Sequence, residues 1–137
     1  IKAGSESSRI SGFEDWLPTI MEVVGGADRV PKDVDGISLL PTLLGKDQPE
    51  RPFLYREFGG YGGQQTIRVG KWKAVRQNLR KGTVRTELYD MESDVGEQHD
   101  VAAEHPDVLQ KLEAMMAEQH VPSEVFPLKA LDLLSSK

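Results

Sequence analysis

An α+β fold is predicted by three features of this sequence: a hairpin signal flanked by β-rich runs, an amphipathic helix after them, and a separate helix with an irregular connector before them. The hairpin signal is QQTIRVGKWKAVRQ, residues 64–77, in which Gly70-Lys71 read as a tight two-residue turn, with glycine supplying the positive backbone angle. That turn sets Val69 opposite Trp72, Ile67 opposite Ala74 and Gln65 opposite Arg76, so one face of the hairpin is apolar. The other face carries Thr66, Arg68, Lys73 and Val75, with Arg68 facing Lys73, an unfavourable pair unless solvent or an acid intervenes. PFLYREF, bounded by Pro52 and Gly59-Gly60, and TELYDME, with Leu88 as its core residue, complete a small antiparallel sheet of about four strands.

The apolar face of that sheet requires a cover, and EHPDVLQKLEAMMAEQH provides it. Pro106 suits a first helical position, Asp107 complements the helix dipole, and Val108, Leu109, Leu112, Met115 and Met116 form an apolar stripe that ends before Pro122. Emptying the Trp72 site at this contact is expected to cost ~3–5 kcal/mol. The tail SEVFPLKALDLLSSK keeps enough apolar residues to wrap the body or dock on a neighbour. Upstream, SGFEDWLPTIMEVVGG reads as a helix with a Ser11/Glu14 capping box and a Gly25-Gly26 stop. Phe13, Leu17, Ile20, Met21 and Val24 would form its buried stripe, and Pro18 moves its start to near Trp16. The segment from Ala27 to Pro52 holds four prolines and reads as a connector with one brief helical turn at Leu40 to Leu44.

Composition narrows the chemistry. With no cysteine among 137 residues, disulfides, thiolate metal sites and cysteine nucleophiles are excluded. No apolar run reaches the length of a membrane span, and no signal peptide opens the chain, which starts without Met as if cut from something longer. Seven cations and no acid lie between Phe58 and Thr86, whereas ten acids against Lys111 alone lie from Glu87 to His120. The two blocks either face each other or are separately solvated. A nucleic-acid role for the basic hairpin is disfavoured by the sequence pI of about 5.2 and by the lack of interleaved exposed aromatics.

No catalytic constellation is visible. There is no G-x-S-x-G elbow, and His99, His105 and His120 lack the spacing of helical metal ligands, so exposed or capping roles are expected for them. Asp90, Glu92, Asp94 and Gly96 imitate the start of a calcium loop, but the glycine is one place late and Val101 stands where the closing carboxylate belongs. GGYGG lacks the ending of a phosphate cradle and reads as a flexible loop between strands. Its Tyr61, with Gln64 and Gln65 beside it, puts aromatic and polar groups where binding residues tend to gather.

The succession DWLPTIMEVVG, DGISLLPTLLG, LYREF, QQTIRVGKWKAVR and ELYDMESDVGEQHDVAAEHPDVLQKLEAMM resembles the C-terminal portion of a sulfatase of the arylsulfatase type, in the alkaline phosphatase-like superfamily. The pairing of IRVGKWKAVR with ELYDMESDVGE is its most specific part; the chain departs from the usual pattern at Arg56, often Trp, and Val95, often Pro. The resemblance implies residues 1–50 as the terminal helix and connector of a missing α/β catalytic domain, and residues 51–137 as a sheet-plus-helix domain. It implies a parent that hydrolyses sulfate esters with calcium and a formylglycine located upstream, made from a C/S-x-P-x-R motif that does not occur here. This chain would then hold no catalytic residue, no metal and no cofactor, would be inactive alone, and would border the substrate pocket through Tyr61, Gln64 and Gln65. Expected partners are the missing catalytic domain, a sulfate ester in the parent and a second copy of the chain through the exposed first helix, with no nucleic acid and no membrane. The parent would be periplasmic or secreted. The alternatives are the same fold from a phosphodiester or phosphonate hydrolase, and a non-enzymatic anion-binding module.

Overall fold

The structure, a computed structural model, describes residues 1–135. Two compact units divide the chain, Ile1–Arg51 and Pro52–Lys137.

In the first unit a 3-10 turn, Phe13–Asp15, leads into helix α1, Trp16–Val23, with Pro18 in its first turn where a missing amide costs nothing. The expected Ser11/Glu14 box is displaced by one residue, because Asp15, at the end of the 3-10 turn, accepts the Gly12 amide at 2.7 Å. The fully buried Asp15 carboxylate also accepts the Ile37 amide at 2.9 Å and the Arg51 guanidinium. Thr19, one helical turn on, accepts the Leu39 amide at 2.8 Å through its hydroxyl. These polar groups tie the connector to α1, so the helix buries Asp15 and Thr19. Of the apolar stripe expected to be buried, Phe13, Leu17, Ile20 and Val24 are instead exposed, at 85%, 48%, 55% and 69%, and Met21 is half-buried. Helix α2, Leu40–Leu43, is the brief turn in the connector.

The second unit is a four-stranded antiparallel meander in the order β1 (Leu54–Phe58), β2 (Gln64–Val69), β3 (Trp72–Gln77) and β4 (Thr86–Asp90). The hairpin register agrees with the sequence reading, with Val69 opposite Trp72, Ile67 opposite Ala74 and Gln65 opposite Arg76. Gly70 takes φ +55° in the turn, a region most side chains avoid. Ile67, Ala74 and Leu88 form the centre of the covered face, and helix α3, Pro106–Gln119, lays Leu112 and Met116 on them. Trp72 lies at the end of this core, half-buried, with the His105 ring 4.7 Å away and the Lys71 ammonium 4.6 Å from its ring centre. A final helix, α4, Lys129–Ser135, makes a second small core from Leu128 and Leu131 against Leu79.

The two charge blocks do face each other. Lys73 pairs with Glu97 at 2.5 Å, Lys71 with Asp90 at 2.6 Å, Arg85 with Asp100 at 2.7 Å and Arg76 with Glu113 at 3.3 Å. Arg68, opposite Lys73, turns to the Gly70 carbonyl at 3.2 Å. The like-charge pair in the hairpin is thus relieved by an acid delivered from the loop after β4.

Candidate functional site: the glycine loop and its polar support

The GGYGG loop bridges β1 and β2 at one end of the sheet. Its outer half is open: Tyr61 is 87% exposed with φ +48°, and its ring lies 5.9 Å from that of Phe58. Its inner half is pinned. The Arg80 amide donates to the Gly62 carbonyl at 2.8 Å and the Leu79 amide to the Gly63 carbonyl at 3.2 Å. Gly63 has φ +85°, and a β-carbon there would come within 2.9 Å of the Leu128 side chain and 3.1 Å of Leu79, so only glycine fits without displacing its neighbours. A mobile-looking sequence is therefore a fixed shelf with one aromatic side chain projecting from it.

Two clefts adjoin this shelf, of ≈ 640 and ≈ 450 Å³. The larger runs between Phe58, Gly59 and Gly60 on one side and Ser123 and Phe126 on the other, and the smaller lies under α4 between Leu79 and Leu133. Arg80 and Leu128 line both. The Arg80 guanidinium is exposed and makes no hydrogen bond or ion pair with any described residue, so it presents an available positive charge between the two clefts. Among the cations between Phe58 and Thr86, it contrasts with Lys71, Lys73, Arg76 and Arg85, which are all taken up by carboxylates.

The three sequence-predicted residues part company here. Tyr61 stands in solvent and Gln64 is half-buried at the loop exit, but Gln65 is only 1% exposed. Period-two alternation turns Gln65 onto the covered face. There its amide donates to the Tyr55 hydroxyl at 2.8 Å and to the Met116 carbonyl at 3.1 Å, and its carbonyl accepts from Arg76 at 3.0 Å. Gln65 is thus a support beneath the loop, withdrawn from its outer surface.

Gln65 belongs to a buried chain of polar contacts under both helices. Arg76 reaches Thr86 at 2.9 Å, and Thr86 donates to Glu113 of α3 at 2.5 Å. In the other direction the Tyr55 hydroxyl donates to Glu57. Burial pushes the Tyr55 phenol far above its ordinary value, the Gln65 hydrogen bond opposes this, and the Glu57 carboxylate adds to it, so the phenol stays protonated and remains a donor. Glu57 Oε1 is 2.7 Å from His120 Nδ1, and His120 Nε2 is 2.9 Å from Asp132 Oδ1 on α4.

Sequence reasoning assigned all three histidines to exposed or capping positions. His99 is exposed beside Asp94, and His105 takes the N-cap position of α3. His120 departs from that expectation: it is 8% exposed and held between carboxylates from β1 and α4. The only hint in the sequence was its place just before Pro122, where a helix must end, and its partners are 63 and 12 residues away. Burial disfavours the charged ring, but the hydrogen bonds to Glu57 and Asp132 outweigh burial and raise the pKa above the usual histidine value. The calcium-loop imitation spends its carboxylates on its own backbone: Asp90 accepts the Glu92 amide at 3.0 Å, and Asp94 accepts those of Gln98 and His99, each at 2.8 Å.

No protein-family model matches the chain. An ulvan-active sulfatase of Formosa agariphila is 32% identical over 139 residues, a match covering 78% of this chain and 27% of that protein. The chain belongs to the sulfatases. Among solved structures, BT4656 in complex with its substrate D-glucosamine-2-N,6-O-disulfate superposes on this sulfatase chain with a TM-score of 0.72 and 29% identity, over 86% of this chain and 25% of the other. The phosphonate monoester hydrolase of Agrobacterium radiobacter superposes with a TM-score of 0.62 and 25% identity, over 87% and 27%. The chain spans about a quarter of the length of the curated relatives it matches.

Proposed function

We propose that this chain is the C-terminal part of an enzyme that hydrolyses sulfate esters, and that it borders the substrate pocket with Tyr61 and Gln64 while Gln65 supports them from below. Arg80, which sequence reasoning did not single out, joins that border. The observation that carries this reading is the shelf itself: an exposed aromatic on a pinned glycine loop, next to a guanidinium with no partner among the described residues. An aromatic face and an uncommitted arginine suit an anionic, ring-containing ligand.

On this reading the implied calcium and formylglycine are held by residues outside this chain, whose sequence has no C/S-x-P-x-R motif. No step of the hydrolysis is therefore assigned to its side chains, and its part is to complete the fold and shape one edge of the pocket. The exposed apolar side of α1 is, on this reading, the surface that meets the catalytic domain of the same protein.

In the full-length protein, Tyr61→Ala and Arg80→Gln are each expected to lower kcat/KM for a sulfated substrate about tenfold, a loss of about 1.4 kcal/mol, without moving the thermal midpoint. Unchanged kcat/KM in both variants would remove the loop from the pocket. The likeness to the phosphonate monoester hydrolase favours one second reading, in which the ester cleaved is a phosphonate; comparing an aryl sulfate with an aryl phosphonate under the same conditions separates the two.

A further inference from the structure

The His120 contacts have a protonation requirement that follows from geometry. Each ring nitrogen faces a carboxylate oxygen, at 2.7 Å on the Glu57 side and 2.9 Å on the Asp132 side. Ionised carboxylates only accept hydrogen bonds, so both contacts are satisfied together only when both ring nitrogens carry protons. A neutral ring can donate to one carboxylate, and it then points a lone pair at the other. The His120 side chain is 2% exposed, so water has little room to intervene. On the Glu57 side, Tyr55 donates to the same Oε1 that faces His120, and nearby Arg76 is committed to Gln65, Thr86 and Glu113.

What this contact holds is the C-terminal segment. Asp132 sits on α4, which also packs Leu128 and Leu131 on Leu79. Ser123, Phe126, Leu128 and Leu133, between His120 and the end of α4, form walls of the two clefts. We propose that His120 is a proton-operated clasp: as an imidazolium bridging Glu57 and Asp132 it holds the C-terminal segment against the body and keeps both clefts closed on that side, and on losing a proton it releases α4.

The direction of the pH response is fixed. A histidine with a raised pKa in the folded state contributes stability that is complete below its unfolded value, about 6.5, and is lost as pH rises through the folded value. Release is therefore alkaline and confined to α4, because the α3 core contains no titratable group among Ile67, Ala74, Leu88, Leu112 and Met116.

Amide hydrogen exchange of the full-length protein, corrected for the intrinsic pH dependence of exchange, tests this without any measure of activity. Between pH 6 and 9, protection at residues 129–135 should fall by up to about tenfold per pH unit above about 6.5 until the folded pKa is passed, while protection in α3 stays constant. His120→Gln should leave residues 129–135 weakly protected at every pH, with α3 protection reporting that the body is still folded. Asp132→Asn should remove the pH response and keep the segment closed, since a neutral ring can donate to Glu57 and accept from the new amide. Constant wild-type protection at residues 129–135 would overturn the clasp. So would the wild-type pH response persisting in either variant.

Discussion

Helices α3 and α4 lie on the same small body and are held by different physics. Leu112 and Met116 of α3, at 2% and 0% exposure, meet Ile67, Ala74 and Leu88 in a dry cluster. α4 has a smaller apolar anchor and a charged bridge from Asp132 to His120. The first attachment rests chiefly on buried apolar area, with Glu113 bound to Arg76 and Thr86 at its edge; the second adds to a smaller apolar contact a bridge that depends on the state of one ring. A domain can thus keep a permanent half and an adjustable half without any hinge, by the proportion in which each helix is attached through carbon and through charge.

The largest effect should come from emptying the permanent half. Met116→Ala is expected to destabilise the domain by ~2–5 kcal/mol in denaturant unfolding, since its site is fully enclosed. A loss below 1 kcal/mol would mean that the α3 core is not the principal one. Trp72→Ala, expected from sequence to cost as much, should fall below Met116→Ala, because the ring is half-buried at the end of the sheet and water can fill part of the space.

Breaking the polar chain under α3 comes next. Arg76→Ala leaves the Gln65 carbonyl and the Thr86 hydroxyl oxygen without their donor and Glu113 with Thr86 in place of two donors, and should cost about 1–3 kcal/mol, an effect that Arg76→Lys recovers only in part because a single ammonium cannot reproduce the fork. Equal stability of both variants with the parent would show that water replaces the guanidinium.

Acid should sharpen the contrast from the opposite side. The Gln98 and His99 amides hold the Asp94 carboxyl below its ordinary value. Burial raises that of Asp100, but the Leu88 and Ala102 amides and Arg85 outweigh it and the net shift is downward. Depressed carboxyls contribute stability that is present above the unfolded value, about 3.9, and lost as pH falls through the folded values. Exchange in residues 91–102 should accelerate in that acid window, whereas the alkaline release is expected at residues 129–135. The smallest effect belongs to the surface: a double-mutant cycle on Lys73 and Glu97 should give about 0.2–1 kcal/mol, decreasing with salt.

The parts of this architecture that could be read from sequence are those governed by short repeats. Alternation along residues 64–77 and the Gly70-Lys71 turn specify a register, and Pro106 with the stripe ending at Met116 specifies α3. Helix α4 escaped because LKALDLL is too short for periodicity to identify it, and its charged anchor is assembled from residues far apart in the chain. Gln65 was misplaced for a related reason: a polar residue beside a glycine loop looks like part of the loop, and only the covered face, with Met116 and Arg76 already on it, shows where its amide is required. Asp15 and Thr19 were hidden in the same way, since their partners Ile37, Leu39 and Arg51 come from the connector.

Gly63 has a consequence for how sequences of this domain can drift. Its absent β-carbon is the space occupied by the Leu128 side chain. A smaller residue at 128 would not by itself free position 63, because its positive φ and the Leu79 β-carbon remain, so the constraint runs one way. Glycine at 63 leaves room for the leucine 65 residues away, in the segment that His120 clasps.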